Sequence, residues 1–327
     1  MSSATATPLP LRTRLGAVLM PDRVTRYTVG MAWANLVCQI VIVLTGGLVR
    51  LTASGLGCPT WPKCTAESLV PTPEMGIHGI IEFGNRTLTG VLCVVALLCW
   101  LSVLRTRGSG MRLALPAFLI GCGIILQAVV GGVTVITKLD PGVVGVHFLI
   151  SGLLAATAAL YLFRVRRAPQ LVPVGDQRVR FETPRSGVLL VAALVVYVWT
   201  WVTLFVGALT TGSGPHAGDT AAARNGLDTE IMAHVHSWPG YILLASTLVF
   251  AVLAIRARAR GVVSASVALL VLIAAQATLG VYQARTGLPV TAVAVHMILA
   301  VTIVAVATTA LLTVKRMRMD ALEGRAR

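Results

Sequence analysis

At 327 residues the chain is long enough for two soluble domains, yet 56% of it is hydrophobic and only 12% is charged. A surface of that composition cannot face water, which excludes a soluble globular protein. The formal net charge of +15 would suit nucleic acid if it sat on one face, but it is parcelled out between apolar stretches, which excludes that partner as well.

A bilayer crossing takes roughly 20 mostly apolar residues. Eight stretches meet that requirement, at 28–49, 77–104, 113–136, 142–163, 187–210, 230–255, 261–284 and 290–314. The expected fold is therefore all-α, a polytopic membrane protein of eight transmembrane helices. The basic leader, residues 1–26, reads as a cytoplasmic tail. The first apolar run is longer than a signal-peptide core and shows no small-residue cleavage site, so it reads as a retained span. Next comes the loop Gly57-Cys58-Pro59-Thr60-Trp61-Pro62-Lys63-Cys64. It faces an oxidising compartment, where a Cys58–Cys64 disulfide can persist. Two prolines and the short spacing make a turn in which the two α-carbons could approach within bonding distance. A metal site is the alternative, but two cysteines without nearby histidines are too few. Cys38, Cys93, Cys99 and Cys122 fall inside spans and read as small buried hydrophobes.

The second span carries His78, Glu82, Asn85 and Arg86 at i, i+4, i+7 and i+8, on one helix face. Glu82 and Arg86 either form a helix-stabilising ion pair, or the acid, held in an apolar bundle, serves proton transfer. The residues alone leave both readings open. The third span is rich in small residues (Gly121, Gly123, Ala128, Gly131, Gly132) that let helix backbones approach closely. His147 opens the fourth span. A basic linker, 164–186, leads to the fifth span, and a Gly-Pro-His-Ala-Gly-Asp loop follows, whose His216 reads as solvated. His234 and His236 start the sixth span, His296 starts the eighth, and residues 315–327 read as a second cytoplasmic tail.

With the N-terminus inside, all of the 27 basic residues except Arg50, Lys63, Arg86, Lys138, Arg224 and Arg285 fall on the cytoplasmic side. This bias orients the chain in the cell membrane with both termini cytoplasmic, and it adds an affinity for anionic lipid.

The sequence also repeats itself at a distance of about 149 residues. Gln127-Ala128-Val129-Val130-Gly131 returns as Gln276-Ala277-Thr278-Leu279-Gly280, and His147 returns as His296. Thr45-Gly46-Gly47-Leu48 resembles the run at Phe205-Val206-Gly207-Ala208-Leu209, and Glu82 and Glu230 fall near equivalent places. Four helices are duplicated, and because four is even the halves run parallel. The expected organisation is one four-helix bundle at 27–163 and a second at 187–314.

Ionisable residues at membrane depth usually mark a site. Histidines on facing helices of a bundle are a standard means of holding a haem iron. A duplicated pair, His147 and His296, points that way more strongly than a single interfacial histidine would. His236 could face His296 across the second bundle, with His234 as its fallback.

Together these residues resemble the haem A synthases. The resemblance spans the membrane portion and rests on Gly46-Gly47-Leu48-Val49-Arg50, Thr52-Ala53-Ser54-Gly55-Leu56-Gly57-Cys58, Trp61-Pro62-Lys63-Cys64, Glu82-Phe83-Gly84-Asn85-Arg86 and Gly145-Val146-His147-Phe148. It implies an oxidoreductase that converts a methyl group of haem O, the substrate, to the formyl group of haem A. Two successive oxidations and loss of water from a gem-diol would give the aldehyde. The substrate half would be the N-terminal one, and the C-terminal half would hold a haem b. Four ligating histidines are implied, and His147, His236 and His296 match three of them. The fourth belongs to a Glu-x-x-His-Arg motif, which here reads Glu82-x-x-Asn85-Arg86. His78, two turns away and about 10 Å along the axis, is the candidate replacement; otherwise His147 alone holds the substrate iron. The second-half loop lacks the cysteine pair that some members carry. The resemblance further implies that Glu82 takes a proton or stabilises positive charge on the reacting carbon, and that Arg50 and Arg86 pair with haem propionates. A haem O synthase would supply the substrate, and the electron acceptor is not named by the sequence. Two rival readings stand beside it. A di-haem electron-transfer subunit would leave Glu82 and the cysteine loop unexplained, and a secondary transporter would call for a midplane ion site that is not evident.

Overall fold

The structure, a computed structural model, describes Gly16 and residues 18–106, 110–168 and 186–325. Arg12, Arg14, Arg107, Arg178, Arg180, Arg185 and Arg327, with most of the expected N-terminal tail and linker, lie outside the described residues. Among the described residues, eight long helices follow one another: α1 (Arg26–Leu51), α2 (Gly76–Leu104), α3 (Gly110–Ile136), α4 (Pro141–Arg166), α5 (Ser186–Ser213), α6 (Thr229–Arg256), α7 (Arg260–Arg285) and α8 (Val290–Arg325). Each contains a segment long and apolar enough to cross a membrane, and no strand occurs among the described residues. Val41, Val94, Leu119, Ile125 and Val271 are among the many large apolar side chains left exposed along the helix walls. In water such a surface would be untenable, and in lipid it is matched. The chain is a multi-pass membrane protein.

Local chemistry sets the helix starts. Thr25 caps α1 through a reciprocal pair with Thr28. The Asp140 carboxylate accepts from the backbone N–H groups of Gly142 and Val143, each at 3.0 Å, with Pro141 in the first helical position. Asp228 caps α6 through Ile231 N–H at 2.8 Å. These caps fix where α4 and α6 begin, and so the height of His147 and His236, each in an early turn of its helix.

Helices α1–α4 close a ring in which each touches the next and α4 returns to α1, and α5–α8 close a second ring in the same order. The rings meet through α4 against α8, α1 against α8 and α4 against α5. Swapping α1 with α5 and α4 with α8 leaves that contact set unchanged, which is the pattern of a two-fold axis. Each ring has an apolar core towards the end opposite the 52–75 loop. In the first, Ala96, Cys99, Val103, Ile120, Ala158 and Tyr161 pack together; in the second, Leu189, Val196, Phe250, Ala254, Leu269 and Ile303 do so. The loop end of the first ring is where the polar residues gather.

Three expectations change. The tail read from residue 315 continues α8 to Arg325: proline is absent, and an i,i+4 ion pair of Arg316 with Asp320 (3.0 Å) supports the extra turns. Of the four span cysteines only Cys99 is buried, whereas Cys93 and Cys122 are exposed on the helix walls, where a thiol is apolar enough to face lipid. The small-residue stripe of α3 splits: a side chain at Gly123 would strike Leu154 of α4 at 2.5 Å, while Gly121 faces open space.

Candidate functional site

The 52–75 loop is fastened to α2 by the acid and the arginine singled out in the sequence. Cys58 and Cys64 are disulfide-bonded, and neither is exposed at all (0%). Glu82 is buried; its Oε2 accepts from the Cys58 backbone N–H at 2.6 Å, while its Oε1 accepts from both Nε and Nη2 of Arg86. Arg86 also donates to the carbonyls of Thr60 (3.1 Å), Lys63 (3.3 Å) and Cys58 (3.0 Å). These contacts occupy the five N–H donors a guanidinium has. The ion pair foreseen as helix support therefore works mainly across space, tying a loop to a helix. Trp61, at the tip of that loop, lies flush on α3: a Cβ on Gly132 would come within 2.4 Å of its indole.

Beneath this loop lies a cavity of about 380 Å³, lined mainly by the first ring and reaching Ala208 and Thr211 of α5 and Met297 of α8, at the low end of the range of small-molecule sites. Its walls include Gln39, Gly46 and Arg50 of α1, Glu82, Asn85 and Arg86 of α2, Gly131 of α3, and His147 and Ser151 of α4, with Trp61 and Pro62 above. The His147 ring rests on Gly131, whose missing Cβ would stand 3.3 Å from Cε1. Gln127 donates to the His147 carbonyl (3.1 Å) and to Ser151 Oγ (2.6 Å), fixing the turn that carries the imidazole.

The second ring repeats this construction with different residues. Gln276 donates to the His296 carbonyl at 3.0 Å, and the His296 ring rests on Gly280 at 3.4 Å by the same measure. Facing it is His236, with ring centres 6.3 Å apart and planes at 70°. A metal ion between two imidazoles needs roughly 2 Å to each nitrogen; with about 1 Å more from each nitrogen to its ring centre, the centres fall about 6 Å apart. The separation fits one iron held from both sides. Nδ1 of His147, His236 and His296 is in each case buried without a hydrogen-bond partner, so their orientation is set by packing on glycine rather than by a polar neighbour. Among the described residues, no three His, Cys, Asp or Glu side chains converge as they would around a free ion. The donor set suits a planar iron porphyrin, which brings four nitrogens of its own.

The internal match also identifies what stands opposite His147. Gly46 and Gly207 occupy corresponding places in α1 and α5; Asn85 approaches the first and His236 the second. Asn85 is thus the counterpart of His236. Counting back three residues, Glu82 corresponds to Ala233, so Glu230, which is exposed in the first turn of α6, is not its equivalent as the sequence suggested. The acid belongs to the first site alone.

Other candidates lie apart. His78 is exposed; its Nδ1 pairs with Ser54 Oγ at 2.8 Å, and it lines a separate surface recess with Asp219 and Thr220. That position does not bring it to the cavity of His147. His234 is exposed on α6 and points away from the pair formed by His236 and His296. His216 contacts the Leu288 carbonyl at 2.9 Å. Arg50 does reach the cavity, and it also bridges the rings, donating to the carbonyls of His216 (2.5 Å) and Thr211 (2.6 Å). Sequence reasoning passed over Thr45, which bonds Asn85 at 2.8 Å, and the roof formed by Trp61. The glycine seats were visible only as part of the repeat.

Comparison with known proteins fits this geometry. The profile of the cytochrome oxidase assembly protein family (COX15-CtaA) matches residues 30–308. A "Heme A synthase" of Shewanella oneidensis is 29% identical over 184 residues, covering 51% of this chain and 54% of that protein. One of Lysinibacillus sphaericus is 32% identical over 194 residues (56% and 58%), and one of Exiguobacterium sibiricum is 30% identical over 188 residues (56% and 58%). The chain thus spans somewhat over half the length of the curated relatives it matches. With the family profile running from the second turn of α1 almost to the end of the membrane part of α8, across both histidine-bearing rings, the chain belongs to the cytochrome oxidase assembly protein family.

Proposed function

We propose that this protein is a haem A synthase, an oxidoreductase that converts the methyl group of haem O to the formyl group of haem A for terminal oxidase assembly. The observation that carries the reading is the pairing of two unlike histidine sites: one with two facing imidazoles, and one with a single imidazole, a buried acid and a cavity. The first suits electron transfer and the second suits chemistry on a bound substrate. The relatives whose names are "Heme A synthase" support the same assignment.

In this reading the ring within 27–163 binds haem O in the cavity, with His147 on the iron and Arg50 beside a propionate. A haem b held by His236 and His296, in the ring within 187–314, supplies one-electron redox chemistry. Glu82 keeps negative charge in the wall of the substrate cavity, where it stabilises positive charge developing on the methyl carbon. Both of its oxygens already accept hydrogen bonds, which favours that electrostatic role over taking a proton. Arg86, with all its donors engaged, holds the loop and leaves propionate binding to Arg50. Trp61 and the disulfide loop close the cavity against water. The arginines at the far ends of the helices support an orientation with both termini in the cytoplasm of a cell membrane, and in that orientation the disulfide loop faces the oxidising side. Haem O arrives from a haem O synthase.

The test is expression with and without a haem O source, followed by extraction and identification of the haems. Haem A appearing only with the source is the expected result. Haem b alone, with no haem O or haem A retained, would refute the enzyme in favour of a di-haem electron carrier.

A further inference from the structure

Asn85 stands where the second ring has an iron-facing histidine, and its immediate surroundings differ in a matching way. In the second ring the residue preceding the glycine seat is Val206, which offers no hydrogen bond. In the first ring it is Thr45, whose hydroxyl lies 2.8 Å from Asn85 Oδ1. The competing contact of that hydroxyl, to the Ile42 carbonyl, is longer at 3.2 Å. With its oxygen turned to Thr45, Asn85 presents its amide –NH₂ on the Gly46 side, 3.9 Å from where a Cβ would stand, and an amide nitrogen carries no lone pair available to iron. The side chain is thereby set as a donor and withdrawn as a ligand. Other replacements for the missing histidine are few. His78 faces a separate recess. Met297, the one thioether on the cavity wall, packs on Gly47, with its Sδ 3.1 Å from where a Cβ would be.

We propose that the first ring holds its iron porphyrin through a single protein ligand, His147. Thr45 locks Asn85 so that its N–H groups face the opposite side of the iron, where a coordination position stays open to a small molecule. The proposal rests on the reading that this cavity binds haem O. It makes the two sites functionally distinct: the second ring closes its iron between two imidazoles, and the first keeps a vacant position with a hydrogen-bond donor over it.

The experiment uses the full-length protein purified after expression with a haem O source, reduced and exposed to carbon monoxide. The expected outcome is one high-spin iron porphyrin that takes up carbon monoxide and one low-spin iron porphyrin that does not. Asn85→His should convert the first to low spin with loss of carbon monoxide binding, leaving the signal of the second ring intact. Thr45→Val and Asn85→Leu should each shift the C–O stretching frequency of the bound probe, because the donor is lost or released. Two low-spin iron porphyrins and no carbon monoxide uptake in the wild type would overturn the proposal, and recovery of uptake in Met297→Leu would identify the ligand that had been missed. An unchanged C–O stretch in both Thr45→Val and Asn85→Leu would overturn the role of Asn85. A protein that keeps its low-spin haem but retains no haem O at all would instead defeat the reading of the cavity itself, and the proposal with it.

Discussion

Glu82→Gln separates the two jobs of the acid, and its structural cost follows from the contacts. The substitution replaces one carboxylate oxygen by an –NH₂ group. Whichever way the amide turns, either the Cys58 N–H, now 2.6 Å from Oε2, or the Arg86 guanidinium meets a donor instead of an acceptor. A hydrogen bond to a charged group contributes about 1.5–3 kcal/mol, and the surviving bond weakens as the charge goes. Arg86 keeps its three carbonyl partners, so it is not orphaned. The docking of the loop should weaken by about 3 kcal/mol, which at 1.4 kcal/mol per decade is about a hundredfold in the open population. Because Cys58 and Cys64 have no exposed surface, a thiol reductant reaches the disulfide only when the loop opens. The assay is therefore the rate of disulfide reduction, followed by alkylation and mass analysis. The wild type should show no alkylation at either cysteine before reductant is added. Glu82→Gln should be reduced about a hundredfold faster while keeping its haems and losing methyl oxidation. Reduction at the wild-type rate would refute the assignment of Glu82 as the fastening of the loop, and haem A at the normal yield would refute its part in the chemistry.

Arg86→Lys keeps a positive charge but loses the forked donors; reduction of the disulfide should accelerate while haem A is still formed, and loss of haem A with an intact disulfide would instead give Arg86 a place at the substrate. Gly207→Ala puts a methyl group 2.9 Å from the His236 ring, so the low-spin haem signal should shift or weaken, whereas Gly90→Ala, with nothing within 4 Å, should leave the spectrum unchanged. His236→Ala and His296→Ala should each abolish the low-spin haem b signal in protein still inserted in the membrane, and His234→Ala should not; a retained signal in both of the first two variants removes the haem b assignment.

Much of this protein is determined by its sequence alone, because the physics involved is local or statistical. Eight apolar runs of bilayer length must become helices in lipid, where no other backbone arrangement satisfies its own hydrogen bonds. The spacing of Gln127, Gly131 and His147 against Gln276, Gly280 and His296 exposed a duplicated construction, and the structure reproduces its bond from glutamine to the histidine carbonyl in both halves. The short Cys58–Cys64 spacing, the two prolines between them and an outward-facing loop together led to the expectation of the disulfide that the structure contains. What the sequence could not decide was which side chains meet across helices separated by tens of residues. His78 and Asn85 share a helix face, yet one lies at the surface recess and the other at the cavity, because seven residues along a helix is a rise of about 10 Å. His234 and His236 differ by two positions, and only the rotation of α6 against α8 turns the second towards His296. Glu82 and Arg86 could be paired from their spacing, but that both would engage the carbonyls and the N–H of a loop 23 to 28 residues upstream depends on where that loop lands. Thr45 and Asn85, forty residues apart, come together only because α1 and α2 pack side by side, and tertiary contact of that kind leaves no period or spacing in the sequence from which to read it.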